Sequence, residues 1–466
     1  MKKRLLSVLL CLFVVLTMSA AKQPKYIFYF IGDGMGLSPV LCSETYNRTV
    51  LGNDTPLLFM QFPTVSYATS YSANNTITDS AAAGTALSTG HKTNNSMLGV
   101  TPDKQPVTSI AAELKEQGYG IAIATTVDPD DATPAAFYAH VEKRSMFYEI
   151  AQDMAASGYD LFAGGRLRGK TPEGGKDVKT ILSEAGYTVV NGPQGFEANK
   201  NRDKLVLLST TEKLDHVGYA IDYQPGALTL PFITQACIEH EMRVSPDKFF
   251  IMIEGGLIDH SLHANDAATT VKEVLDFEKS IRIAYEFYLQ HPKETLILVT
   301  ADHNTGGMAA GVSGGPYNLP LKNIDYQKIS IETMQADCRA MVESGKIMSW
   351  DEMKAYLEKN FGLYGAITVS EKNDKLLQDA YNATFVAKNA EDNRTLYASL
   401  SSFVQTTYDV LDKISGIGWT TNGHTGDFVP VYAIGVGSEL FEGFHDNTDL
   451  PNIIRKTCKI PTHSSK

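Results

Sequence analysis

The chain has 466 residues, 43% hydrophobic and 20% charged, a globular composition that excludes a disordered tail, a collagen-like fibre and a disulfide-dense miniprotein. Asp and Glu outnumber Lys and Arg by 53 to 41, for a net charge of −12. That balance counts against a nucleic-acid-binding surface and suits side chains that hold cations.

Residues 1–21 read as a signal peptide. Lys2, Lys3 and Arg4 precede an apolar run over 5–18, and Ser19-Ala20-Ala21 supplies small residues for cleavage before Lys22. The run falls short of the roughly 20 residues that span a bilayer. The expected product is a secreted chain, periplasmic or extracellular, with a net charge of −15 once those three cations are removed. Its cysteines, Cys42, Cys237, Cys338 and Cys458, are spaced without a metal motif, and their pairing is not specified.

The first strand is predicted at 26–31, a continuous apolar run ending in the turn Gly32-Asp33-Gly34-Met35-Gly36. Similar runs lie at 120–125, after a helical stretch near 109–117, then at 249–254, at 295–300 after a helical stretch over 267–290, and at 429–434. Apolar strands alternating with helices predict an α/β fold with a mostly parallel sheet covered on both faces. Two stretches fit this alternation poorly. Residues 164–245 are rich in Gly, Lys and Asp, although 205–208 is strand-like. Residues 304–423 are polar, with helical signals near 331–342, 350–360 and 371–386, and read as an insertion between two core strands.

Chemistry-bearing residues cluster after the strands. Asp33 follows the first. Asp131 and Thr133 follow 120–125, Glu254 and Asp259 close and follow 249–254, and Asp302 and His303 follow 295–300. Open α/β sheets bind ligands outside the carboxyl ends of their strands. One such Asp is ordinarily a cap or loop residue, but a coincidence at four strand ends asks for another explanation. Crowded carboxylates are most simply compensated by a cation, with mixed Asp/His sets suiting zinc and oxygen-only sets suiting magnesium. His263 stands four residues after Asp259, and His424 precedes the last strand. The segment TDSAAAGTA begins like a capped helix, with Asp79 or Ser80 as the cap. Ser80 is also a candidate nucleophile at a helix start, where backbone N–H groups attract anions.

These pieces resemble the alkaline phosphatase family. IGDGMG at 31–36, TDSAAAGTALSTGHKT at 78–93, DATPAAFYAHVEKR at 131–144, EGGLIDHSLH at 254–263, TADHNTGG at 300–307 and GHTGDFVPVYAIG at 423–435 occur in the family's order and run the length of the mature chain. The resemblance implies an α/β/α sandwich over residues 22–466 with a cap- or crown-like insertion at about 304–423. It implies two zinc ions and one magnesium. Asp259, His263 and His424 resemble the ligands of the first zinc, and Asp33, Asp302 and His303 those of the second, which also holds Ser80. Asp33, Thr133 and Glu254 resemble the magnesium site, which Asp131 reaches through water. Arg144 matches the guanidinium that clamps phosphoryl oxygens. His260 falls at a position where relatives vary and is expected near the bound phosphate. The mature chain starts close to its first strand and is expected to lack the longer N-terminal arm with which some relatives wrap a partner.

The implied activity is hydrolysis of phosphate monoesters through a phosphoserine at Ser80. The competing readings are a phosphodiesterase or sulfatase of the same superfamily, or a secreted binding protein without turnover. Ser80 lacks the Cys/Ser-x-Pro-x-Arg context of sulfatases. Small-molecule monoesters are the expected partners, and the sequence leaves the oligomeric state open, a homodimer included.

Overall fold

The computed structural model describes residues 23–460 except 211–215, 314, 316, 389–391 and 398. The predicted signal peptide lies outside the described residues. A ten-stranded, mostly parallel sheet flanked by helices forms the centre. In chain order its strands are β1 (Tyr26–Ile31), β2 (Thr64–Thr69), β3 (Gly120–Thr125), β4 (Leu161–Gly164), β5 (Thr188–Asn191), β6 (Leu205–Leu208), β7 (Phe249–Glu254), β8 (Thr295–Thr300), β9 (Val429–Gly435) and β10 (Phe444–Asp446). Their spatial order is β10-β2-β9-β8-β1-β7-β3-β4-β6-β5. Strands β8 through β5 in that order are parallel, whereas β9 runs antiparallel to both of its neighbours.

The four middle strands β8, β1, β7 and β3 are buried at every residue. This is why they read as unbroken apolar runs rather than alternating ones. They also end flush: Ile31 pairs with Glu254 and with Thr300, and Thr125 pairs with Glu254. The residues that follow them therefore emerge together along one edge. The long helix Ala267–Gln290 packs against Leu230–Val244 and Leu37–Thr49, and no helix among the described residues is long and apolar enough to cross a membrane.

In stretch 164–245 the strand-like 205–208 is β6, and β5 beside it, absent from the predicted strands, extends the same sheet beyond β4. Four residues long and only partly buried, β5 carries too little apolar pattern to stand out from its polar connections. Between β8 and β9 lie the helices Ile331–Ser344, Trp350–Phe361, Glu371–Tyr381 and Ser402–Ile414. They share a second apolar cluster that includes Met334, Met353, Leu357, Phe361, Phe403 and Tyr408. The helix expected over 371–386 stops at Tyr381 and widens into one π turn, Asn382–Val386, which carries Phe385 against Tyr381 and Phe403. Cys42, Cys237, Cys338 and Cys458 are all free and buried, and burial pushes the thiols of Cys42, Cys338 and Cys458 up to about 12.

Candidate active site

The helix Ser80–Thr89 sets the geometry. Asp79 is its N-cap, accepting from the N–H of Ala82, so Ser80 is the first helical residue with its hydroxyl at the helix mouth. The run of small residues lets this helix lie close to the turn Ala132–Ala135. A Cβ on Gly84 would come within 3.1 Å of Ala136 Cβ and 3.3 Å of Thr133 Cα. Ser80 Oγ lies 3.1 Å from Nε2 of His303, which links the candidate nucleophile to the end of β8.

Nε2 of His303 is also 3.4 Å from Asp33 and 3.2 Å from Asp302. Donor atoms of Asp33, Asp302 and His303 converge in one group, and those of Asp259, His303 and His424 in another. His263 joins the second group, with Nε2 3.3 Å from Asp259 Oδ2 and 3.1 Å from Nε2 of His424. His424 faces the site from outside the four strand ends, at an antiparallel pairing with Thr305.

The backbone approaches closely around this cluster. Gly34 has a φ of +68°, and a Cβ there would meet Asp259 Oδ1 at 2.8 Å and Thr305 Oγ1 at 2.9 Å. Glycine alone tolerates both that φ and that proximity.

Each imidazole is held by its other nitrogen. Nδ1 of His424 lies 2.8 Å from the carbonyl of Thr78, Nδ1 of His263 bonds the carbonyl of Asn422, and Nδ1 of His303 lies 3.1 Å from Thr305 Oγ1. A carbonyl can only accept, so Nδ1 of His424 and of His263 carries the proton, and Nε2 presents a lone pair to the cluster. Metal-binding histidines are oriented in this way.

The carboxylates confirm that a cation fits. Asp33 Oδ1, Asp259 Oδ2, Asp302 Oδ2, Glu254 Oε1 and Thr133 Oγ1 are buried oxygens without a hydrogen-bond partner among the described residues. Burial, with Asp302, Asp259 and Glu254 nearby, pushes Asp33 well above the usual carboxylate range. Burial likewise raises Asp302 and Glu254. Asp259 moves the other way. Burial opposes its charge, but His263, His424 and His303 hold it well below that range. Unpaired buried oxygens crowded beside imidazole nitrogens are a donor set for divalent cations. Glu254 also accepts from Thr125 Oγ1, and Thr133 is buried on the neighbouring turn.

Arg144 sits at the rim, 3.0 Å from Asp131 and 3.6 Å from Asp79. Asp131 caps the turn Ala132–Ala135 and is also engaged by Arg168 at 2.9 Å. Burial works against its charge, but Arg168 and then Arg144 lower it to about 2. His260 is buried and stacks on Tyr397, with ring centroids 3.7 Å apart. Three residues here escape a reading of the sequence. Arg168 braces Asp131, Thr305 donates to Asp259 Oδ1 at 2.5 Å, and Tyr397 comes from the insertion. Only Arg168 carried a signal, in the polar turn Gly164-Gly165-Arg166-Leu167-Arg168-Gly169.

Comparisons with known proteins identify the family. The family described as alkaline phosphatase matches residues 24–460. Alkaline phosphatase 4 of Bacillus subtilis is 32% identical, over 95% of this chain and 91% of its own. The cold-active alkaline phosphatase of Shewanella sp. superposes with a TM-score of 0.79 at 28% identity, covering 93% of this chain and 99% of its own. The alkaline phosphatase of the Antarctic bacterium TAB5, in a mutant form with Mg bound in the M3 site, superposes at 0.65 with 26% identity, covering 94% and 99%. Divalent metals accompany this fold, and the orphaned donors above suit them. From its strand-end carboxylates to its full-length match, the chain belongs to the alkaline phosphatase family and is an enzyme of that type.

Proposed function

We propose that the chain is a secreted, metal-dependent phosphomonoesterase that works through a phosphoserine at Ser80. The observation that carries this reading is Ser80 Oγ, 3.1 Å from His303 Nε2, at a helix mouth beside a cluster of unpartnered carboxylate oxygens and a braced guanidinium. Secretion is supported by the charged and apolar pattern of residues 1–21.

Asp259, His263 and His424 would hold one zinc, Asp33, Asp302 and His303 a second, and Asp33, Thr133 and Glu254 a magnesium. When bound, these ions would lower the pKa of the serine hydroxyl and neutralise charge on the phosphoryl group. Ser80 Oγ bonds phosphorus as the ester P–O bond breaks; its proton is lost and the departing alcohol gains one. Water then bonds phosphorus as the P–Oγ bond breaks, which restores Ser80 and releases inorganic phosphate. Arg144, braced by Asp79 and Asp131, presents its fork to two phosphoryl oxygens. The N–H groups at the start of Ser80–Thr89 add to the positive field. Phosphoryl transfer asks mainly for positioning and charge stabilisation, and these groups supply both.

Ser80→Ala is expected to leave a folded, metal-loaded protein with monoesterase activity lower by orders of magnitude. Acid-quenched wild type should carry phosphate on the peptide that contains Ser80. Near-normal turnover in Ser80→Ala, or phosphate trapped on another residue, would refute the covalent route. A faster rate on diesters than on monoesters would move the assignment to a phosphodiesterase.

A further inference from the structure

The insertion reaches back into the site through one side chain. Tyr397 stacks face to face on His260, with centroids 3.7 Å apart and planes at 24°. It also meets His263 edge-on at 5.2 Å. His260 and His263 lie on the helix Gly256–His263, and His263 belongs to the group with Asp259 and His424. Tyr397 therefore covers that side of the cluster.

The ring is fixed from behind. His260 packs edge-on against His216 at 6.4 Å, and Nε2 of His216 bonds Glu332 of the insertion at 3.0 Å. The column His216–His260–Tyr397 is thus gripped by the insertion at both ends. It forms one wall of a 210 Å³ cavity also lined by Gln335, Arg339 and Leu400. Tyr397 itself is only partly buried.

We propose that Tyr397 is a specificity-determining residue, an aromatic wall that favours phosphate monoesters whose leaving group is itself aromatic. The inference rests on the phosphomonoesterase reading. With phosphorus held between Ser80 and Arg144, the leaving group departs toward Asp259, His263 and His424. It passes the ring that stands on His263. A planar aryl group stacks there, whereas a short alkyl group makes no comparable contact. Aromatic pairs of this kind discriminate by roughly threefold to tenfold.

The test compares kcat/KM for phenyl phosphate and ethyl phosphate in the metal-loaded full chain, in wild type, Tyr397→Phe, Tyr397→Leu and Tyr397→Ala. The phenyl/ethyl ratio should fall about threefold to tenfold in the Leu and Ala variants and hold within about twofold in the Phe variant. The ratio cancels any change that both esters share, including one in phosphate binding. The Leu variant fills most of the ring's volume without its flat face, so it gives the same readout should Ala disturb the segment. Equal loss on both esters, or an unchanged ratio in both Leu and Ala, overturns the proposal while leaving the phosphomonoesterase reading intact. A wild type that hydrolyses neither ester overturns both.

Discussion

Asp131 shows how much of this site depends on single side chains. Its two oxygens are taken by two guanidinium groups, Arg144 on Oδ1 and Arg168 on Oδ2, and Arg168 is itself fixed by Asp128 at 2.5 Å. With Oδ2 occupied, Oδ1 is left as a fixed acceptor that aims the Arg144 fork. Removing Arg168 frees Asp131 to turn and draw Arg144 away from phosphate. Arg168→Ala is therefore expected to raise the inhibition constant for inorganic phosphate and lower kcat/KM on a monoester by about tenfold, the scale of one charge-assisted bond. Arg168→Lys, which keeps the charge but loses the fork, should recover part of the loss. An unchanged inhibition constant would confine Arg168 to holding its own loop. The residues legible in the sequence, such as Ser80, Asp33 and Asp302, sit where a strand or helix boundary declares them. Arg168, Thr305 and Tyr397 act on partners 40, 46 and 137 positions away, Asp128, Asp259 and His260. No local pattern encodes such a pairing.

Among the elements, β1, β3, β7 and β8 were readable because burial on both faces leaves no polar position to break the run. The short β5, and β2, which alternates buried and exposed residues, lack that signature. Packing between elements carries information of another kind. The helix Leu230–Val244 lies across β3 and brings Glu241, fully buried, over Gly120. A Cβ on that glycine would meet Glu241 Oε2 at 2.1 Å. Both carboxylate oxygens lack a hydrogen-bond partner among the described residues. Burial, reinforced by Asp160 and opposed by Lys115 and Arg243, pushes Glu241 well above its ordinary 4.5. A carboxyl group raised in the folded state contributes stability that is fully present below its unfolded pKa and is lost as pH rises through the folded one. Glu241→Gln keeps the neutral shape at every pH. It should raise the melting temperature at pH 8, by an amount worth about 1 kcal/mol, and the gain should vanish toward pH 4. A gain independent of pH would mean that the carboxyl group is not the cause.

At the scale of the whole molecule two apolar clusters are joined at the cation site. The sheet core supplies Asp33, Glu254 and Asp302 from strand ends and Asp259 from the helix after β7, and the segment between β8 and β9 has its own cluster around Met353, Leu357 and Phe403. Both were visible in outline, since the alternation of strands and helices stops at β8 and resumes at β9. What the sequence does not show is that they depend unequally on metal. The four carboxylates are buried together with unpartnered oxygens, so stripping the cations leaves acidic groups crowded out of solvent that must repel one another or take up protons. On the insertion side Asp412 also has one buried oxygen without a partner among the described residues, but its other oxygen accepts from Trp419 Nε1 at 2.8 Å and it stands outside the converging donor groups. A chelator is therefore expected to lower the melting temperature of the whole chain, and Zn²⁺ with Mg²⁺ to restore it. The restored stability should be about 4 kcal/mol at a thousandfold excess over the dissociation constant. Hydrogen exchange should locate the loss. Protection should fall at 33–36, 259–263, 302–305 and 422–425, while the helix Trp350–Phe361 stays protected until global unfolding. Loss of protection spread evenly over both clusters would show that the metals hold the insertion as much as the sheet. An unchanged melting temperature in verified metal-free protein would show that these carboxylates are compensated from within the chain.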